Sequence, residues 1–452
     1  MSSTNLKEHK LSNAGIVSGN VDVCGIEACK VLDLPENGTI PFYQKYVILS
    51  NDVAYLTHVI HKYPSKFIPH IPRWAIRRYL RGQQFRSVLD PMCGSGTTLV
   101  EGILFGHHVF GIDIDPLARL ITKVKITPLD EEKLRSACRK VMYRIAHASQ
   151  GEFVPSIPTL SHWFNEGITK ELSIIRDAIE EHRDNKDIYD FLIVTFSSII
   201  RRVSNADNQS QKTYVSHTNP KSPPAAIPIF AQNLEKYAER IIEFSKKRPP
   251  GTTYHILEGA DARSVDKAFR ERHFGNIDLA VTSPPYIKAV DYIYTQMAEY
   301  FWIGDLFGLA DQKSQNMFKT KYIGTKMVYA DEYSQPKLTG IPSIDPIIER
   351  IYSKNRKFAY ITFKFFEDMR ANLKSTYSIL QNEAHYVIVV GDCNVAGESI
   401  RVRDVLIDIA ELEGYTLENL FYYEIRNRYM RFPRLGRGGL ITHDWVVDLR
   451  KR

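Results

Sequence analysis

Five cysteines in 452 residues, none of them in a Cys-x-x-Cys pair, leave little material for a disulfide framework or a structural zinc site. Cys24, Cys29, Cys93, Cys138 and Cys393 are scattered along the chain, so a reducing compartment and no metal site are expected. No uncharged apolar run is long enough to span a bilayer, and the opening MSSTNLKEHKLSNAG is polar, without an apolar leader core. A cytoplasmic location with no membrane partner follows as the expectation. Internal repeats are missing too. With 44% hydrophobic and 25% charged residues there is no disorder-scale bias, so one large elaborated domain or two to three smaller ones are expected. The excess of 59 Lys and Arg over 52 Asp and Glu, a net charge of +7, leans mildly toward a polyanionic partner.

What is present is alternation. FRSVLD (85–90), HVFGID (108–113), YHILEG (254–259), NIDLAVT (276–282) and AHYVIVVGD (384–392) read as buried strands, with TTLVEGILFG, RSVDKAFRERH and RVRDVLIDIAELEG as helices. Strand, glycine-rich turn, helix and strand make a βαβ unit, which implies a parallel, doubly wound α/β sheet. TLENLFYYEIR and ITHDWVVDL read as a terminal hairpin. KELSIIRDAIEEHRD, DIYDFLIVTFSSIIRRVS and AQNLEKYAERIIEFSKK place apolar residues at helical spacing. The expected organisation is an N-terminal segment (1–50) with weak signals and a strand at YVILS, a ligand-binding part of the core (51–125), and a mainly helical insertion after the second strand (126–250). A second part of the core (251–304), a polar insertion (305–345) and a C-terminal part (346–452) follow.

VLDPMCGSGTTLVEG (88–102) carries the first chemical signal. Gly94 and Gly96 let the backbone approach a ligand after a strand, and the helix opened by Thr97 and Thr98 offers unpaired N–H groups. GIDIDP places Asp113 at the end of the next strand, where a carboxylate can accept both hydroxyls of a ribose. The dinucleotide pattern G-x-G-x-x-G fails at Leu99, and no phosphate-loop Gly-Lys-Ser/Thr is present. A nucleoside without a pyrophosphate is therefore expected, and S-adenosylmethionine is the common cofactor of that description.

The second signal is LAVTSPPYIKAVDY (279–292), an apolar strand running into Ser283-Pro284-Pro285-Tyr286. Two prolines fix φ twice and remove two donors, leaving a rigid turn with a free carbonyl, a hydroxyl and an aromatic ring. The hydroxyl and carbonyl can pair with an exocyclic amine while the ring stacks on its base, which positions the amine for in-line attack on a sulfonium methyl group.

DPMCGSGTT together with TSPPY resembles the amino-group DNA methyltransferases, and Ser before Pro-Pro-Tyr is similar to their cytosine-N4 branch. The resemblance covers the α/β core and implies a mostly parallel, seven-stranded class I methyltransferase sheet using S-adenosylmethionine. It assigns Asp90, Pro91, Gly94, Gly96 and Thr97 to the cofactor loop, Asp113 to the ribose, Asp261 to the adenine amine, and Ser283, Pro284, Pro285 and Tyr286 to catalysis. HKYPSKFIPHIP (61–72) looks like the segment that closes over the methionine end, with Lys66, Phe67 and Pro69 the best matches. The long insertion departs from compact members, so a recognition region is not placed by analogy. Asp291 and Tyr292 are further candidates for the base pocket, with a helix cap as the plainer reading of Asp291.

A base amine in duplex DNA is reached by swinging the nucleotide out, which calls for phosphate contacts and groove readers. EIRNRYMRFPRLGRGG (424–439) supplies Arg426, Arg428, Arg431, Arg434 and Arg437 with aromatics between them. Arg201, Arg202, Lys212 and Lys221 bracket the polar loop of the helical insertion, and Lys319, Lys321 and Lys326 lie in the other insertion. The expected partner is double-stranded DNA at a specific short site, beside a separately encoded restriction endonuclease. Adenine-N6 methylation of DNA, guanine-amine methylation of RNA and a catalytically silent binder are the competing readings.

Overall fold

Alternation of side chains about the backbone explains the long apolar runs, because each strand of the central sheet is covered on both faces. The computed structural model describes residues 28–50, 53–64, 68–157, 159–207, 213–218, 220–288, 291–425 and 442–452. Val88, Leu279, Val281, Val387 and Val389 point to one face, where they meet Trp74, Leu99 and Ile103 of the helices His70–Tyr79 and Thr97–Leu104. Leu89, Ala280 and Ile388 point to the other, against Phe365, Met369 and Leu406 of the helices Arg356–Ile379 and Val402–Leu412. Each fully buried aliphatic side chain of this kind stabilises the fold by about 1.5–3 kcal/mol.

The strands are β1 (Cys29–Val31), β2 (Gln44–Ile48), β3 (Ser87–Asp90), β4 (His108–Gly111), β5 (Tyr254–Ile256), β6 (Ile277–Thr282), β7 (Leu380–Val390), β8 (Cys393–Val395), β9 (Glu398–Ile400), β10 (Tyr415–Glu424) and β11 (His443–Lys451). Nine of them form one sheet in the order β1-β2-β10-β11-β7-β6-β3-β4-β5, while β8 and β9 form a separate small hairpin. Within the large sheet only β11 runs antiparallel to its neighbours, β7 and β10. The seven expected core strands are thus widened to nine by β1 and β2, parallel to each other and to β10. They come from the N-terminal segment: β1 is a short, mostly exposed edge strand, while β2, lying between β1 and β10, overlaps the strand expected at YVILS.

The order reverses between β3 and β6: β3 leads outward to β4 and β5, and β6 to β7. A crevice opens at the carboxyl ends of strands where such a reversal occurs. The loop after β3 is fixed there by its helix, since Glu101 is buried and accepts from His58 Nε2 at 2.8 Å and Arg73 Nε at 3.3 Å.

Between β4 and β5 the chain forms the helices Pro116–Ile126, Glu131–His147, Glu166–Glu180, Lys186–Val203 and Ala226–Lys247. With the helix Met297–Ile303 they share an apolar centre of their own. Trp302 lies at its heart, edge-on to Phe164 and Phe196 with ring centres 5.8 and 6.1 Å away.

Candidate active site

The residues 91–96 cross the carboxyl end of the sheet in a conformation that needs glycine. Gly94 has φ of +49° and Gly96, capping the helix Thr97–Leu104, has φ of +79°. A Cβ on Gly96 would stand 2.7 Å from Thr122 Cγ2, whereas one on Gly94 would meet only the Tyr63 ring at 3.5 Å. The helix Pro116–Ile126 supports the loop from beneath: Thr122 Oγ1 donates to the Gly94 carbonyl at 2.8 Å and Lys125 Nζ to the Ser95 carbonyl at 2.9 Å.

Asp113 closes this arrangement. Its two oxygens accept the N–H groups of Gly94 and Asp115, each at 2.8 Å, and the side chain lines the cleft. Burial, reinforced by Asp115, pushes its carboxyl up to about 7. The folded-state value therefore stands above the unfolded one, so the protonated form favours the fold and that stability is lost as pH rises through about 7. A ligand presenting two hydroxyl donors prefers the carboxylate. Affinity for a nucleoside cofactor is expected to rise from pH 6 to pH 8, by at most about tenfold per unit below the pKa, and to flatten in Asp113→Asn; calorimetric titration checks this.

Of the other cofactor candidates, Pro91, Gly94 and Thr97 line the cleft with Asp261. The Asp90 carboxylate turns inward instead. It accepts the Met92 N–H at 3.1 Å and the Thr282 hydroxyl at 2.7 Å, tying the ends of β3 and β6, and burial pushes it up to about 6. Asp261 accepts from Arg263 Nε and from the Arg263 N–H, both at 2.9 Å. Burial alone would raise it, but Arg263 holds it below the ordinary carboxylate value. Pro69 sits at the N-terminal cap of the helix His70–Tyr79, and Lys66 and Phe67 lie outside the described residues.

The catalytic candidates follow β6 directly. Ser283 and Pro285 line the same cleft as Asp113. The Ser283 hydroxyl donates to the Val389 carbonyl of β7 at 3.2 Å, which leaves its lone pairs available to accept. Tyr286 is mostly buried, and its hydroxyl donates to Asp444 at 3.0 Å. Asp291 caps a helical turn by accepting the Tyr294 N–H at 2.9 Å and pairs with Lys319 Nζ at 3.2 Å.

Tyr292, a candidate for the base pocket, lines the cleft, together with two tyrosines outside the sequence assignments, Tyr63 and Tyr322. Tyr63, Tyr292 and Tyr322 form an aromatic wall, with successive ring centres 6.0 and 5.8 Å apart and planes within 17° and 14°. Tyr63 stands three residues before Lys66 in the expected closing segment, while Tyr322, with Lys321 and Ile323, comes from the polar insertion expected to face DNA. Among the described residues, no group of His, Cys, Asp and Glu is arranged to hold a metal ion.

For the nucleic-acid candidates, Arg201 donates to the carbonyls of Thr295 and Asp207 at 3.3 and 3.2 Å. Lys221 Nζ donates to the carbonyls of Arg201 and Ala206. Both hold the mouth of the polar loop together, whereas neighbouring Arg202 is exposed. Arg426, Arg428, Arg431, Arg434 and Arg437, with Lys212, lie outside the described residues. No helix among the described residues is long and apolar enough to cross a membrane.

A doubly wound sheet ordered β5-β4-β3-β6-β7-β11-β10 with its penultimate strand reversed, and a glycine loop facing an acidic strand end, defines the class I methyltransferase fold. The chain is similar to type II methyltransferases. It is 26% identical to type II methyltransferase M.MvaI of Kocuria varians over 84% of this chain and 87% of that protein. To type II methyltransferase M.MjaII of Methanocaldococcus jannaschii it is 24% identical over 52% of this chain and 60% of that protein. No known protein-family model matches. The solved rRNA methyltransferase aviRa of Streptomyces viridochromogenes superposes only loosely, with 13% identity and a TM-score of 0.28 over 87% of this chain and 89% of that one.

Proposed function

We propose that the protein is an S-adenosylmethionine-dependent DNA methyltransferase that modifies the 4-amino group of cytosine within a specific short sequence. The carrying observation is the Ser283-Pro284-Pro285-Tyr286 turn, placed at the end of β6 so that Ser283 and Pro285 share a cleft with Gly94 and Asp113. The residues fit the cofactor: the glycine loop gives close backbone approach, Asp113 presents a carboxylate to the ribose, and the tyrosine wall offers an apolar flank. When bound, S-adenosylmethionine supplies an electrophilic methyl group.

The chain's own residues do the positioning. The Ser283 hydroxyl, its proton committed to Val389, accepts one N–H of the target amine, and the Pro284 carbonyl accepts the other. These contacts direct the nitrogen lone pair out of the base ring and toward the cofactor side of the cleft. Tyr286 supports the extruded base by stacking. No strong base is needed, because the methylated amine sheds its proton readily. The exposed Arg202 and the arginines 426, 428, 431 and 434 bind the DNA backbone. A separately encoded restriction endonuclease is the natural counterpart, since methylation at a fixed site protects that site from cleavage.

Purified protein, incubated with a methyl-labelled cofactor and unmethylated mixed-sequence duplex DNA, is expected to transfer label to the DNA, with transfer RNA unlabelled in a parallel reaction. Label confined to the RNA would overturn the substrate class.

A further inference from the structure

The catalytic turn is held at two points, and only the first belongs to the proposed chemistry. Ser283 is fastened to β7 through Val389, and Tyr286 is fastened through its hydroxyl to Asp444, the second residue of β11. Asp444 is buried, with only 8% of its surface exposed. Its second oxygen accepts the hydroxyl of Tyr423, the residue directly opposite on β10, at 3.3 Å. Burial raises its carboxyl while the two phenols lower it, and neither phenol is a cation. Among the described residues no Lys, Arg or His pairs with it. A buried carboxylate satisfied only by two tyrosine hydroxyls is an expensive way to fill space, since an apolar residue would serve packing better. A carboxylate does what an apolar residue cannot: it accepts a directional bond that fixes where a hydroxyl points.

We propose that Asp444 is a positioning residue for methyl transfer, setting the plane of the Tyr286 ring against which the target base rests. Pro284 and Pro285 stiffen the segment between the two anchors, so the ring's remaining freedom is rotation about its own side-chain bonds. The Asp444 tether removes it. Tyr423 keeps the carboxylate from turning away, through the β10–β11 register that pairs Tyr423 with Asp444. The inference rests on the base-stacking role given to Tyr286 above.

The test compares Asp444→Asn, Asp444→Ala, Tyr286→Phe and the double variant Tyr286→Phe/Asp444→Ala. Each is assayed for steady-state methylation of duplex DNA, for cofactor affinity, and for backbone amide exchange in the peptides covering 283–292 and 91–97. Expected are a fall in kcat of about tenfold in Tyr286→Phe and about a hundredfold in Asp444→Ala, with Asp444→Asn, whose amide oxygen still accepts the Tyr286 hydroxyl, much less impaired than Asp444→Ala, and with cofactor affinity unchanged. The double variant should be no worse than the more impaired single one, because both single changes break the same contact. Amide exchange should quicken in 283–292 and stay constant in 91–97. Wild-type kcat in Asp444→Ala, or multiplying losses in the double variant, would overturn the proposal. Unchanged exchange at 283–292 in Asp444→Ala would do the same even for an enzyme inactive on DNA, which separates failure of the tether from failure of the functional reading.

Discussion

Replacing Tyr286 by alanine is expected to lower kcat/KM for DNA methylation by about 10²–10³-fold while cofactor affinity stays within about twofold. The ring is mostly buried, in contact with Asp444 rather than with the glycine loop, so its removal leaves the cofactor's own contacts in place. On the role proposed for Tyr286, what disappears is a stacking surface of about 1–3 kcal/mol for the extruded base, and with it the alignment of the amine, where an error of 1 Å costs roughly a hundredfold. Single-turnover methylation set beside calorimetric cofactor binding separates the two effects. A variant that lost cofactor affinity in proportion to its rate would place Tyr286 in the cofactor site.

The second large effect belongs to the glycine loop. Gly96→Ala introduces a Cβ 2.7 Å from Thr122 Cγ2 and 2.9 Å from Thr122 Oγ1, at a φ of +79°. The left-handed conformation costs about 1–2 kcal/mol for a residue with a side chain, and displacing Thr122 forfeits its bond to the Gly94 carbonyl, about 1 kcal/mol more. A stability loss of about 2–3 kcal/mol is expected from denaturant unfolding, together with a loss of cofactor affinity of roughly a hundredfold. Gly94→Ala is the contrasting variant. Its Cβ finds the nearest atom at 3.5 Å, on Tyr63, so stability should suffer less while the methyl group intrudes on the cleft. Equal destabilisation by both changes would show that backbone conformation, and not Thr122, sets the cost.

Legibility in the sequence followed the range of the interaction. AHYVIVVGD reads as a strand because Val387 and Val389 are buried on one face of the sheet and Ile388 on the other, leaving no polar position to break the run. Asp113 is readable for the same reason of locality: it stands 19 residues from Gly94, within one βαβ unit. The aromatic wall is not local. Tyr63 and Tyr322 are brought onto Tyr292 by elements far apart in the chain, and nothing in either segment alone distinguishes a cleft tyrosine from a core one. Asp444 lies 158 residues from Tyr286, and in ITHDWVVDL it looks like any polar residue opening a strand. Arg201 shows the converse: an arginine at a helix end suggests a phosphate contact, yet its guanidinium closes a loop by binding the carbonyls of Thr295 and Asp207. Of the two added strands, β2 overlaps the strand expected at YVILS, whereas β1, three mostly exposed residues at the edge of the sheet, buries too little to impose a pattern.

The most direct test of the central claim is the chemical identity of the methylated base. DNA modified by the purified protein should be digested to nucleosides and analysed by mass spectrometry, with a Ser283→Ala variant beside it. The account predicts N4-methylcytosine as the product and its near loss in the variant. N6-methyladenine in its place would contradict the assignment of Ser283 as the group that selects cytosine.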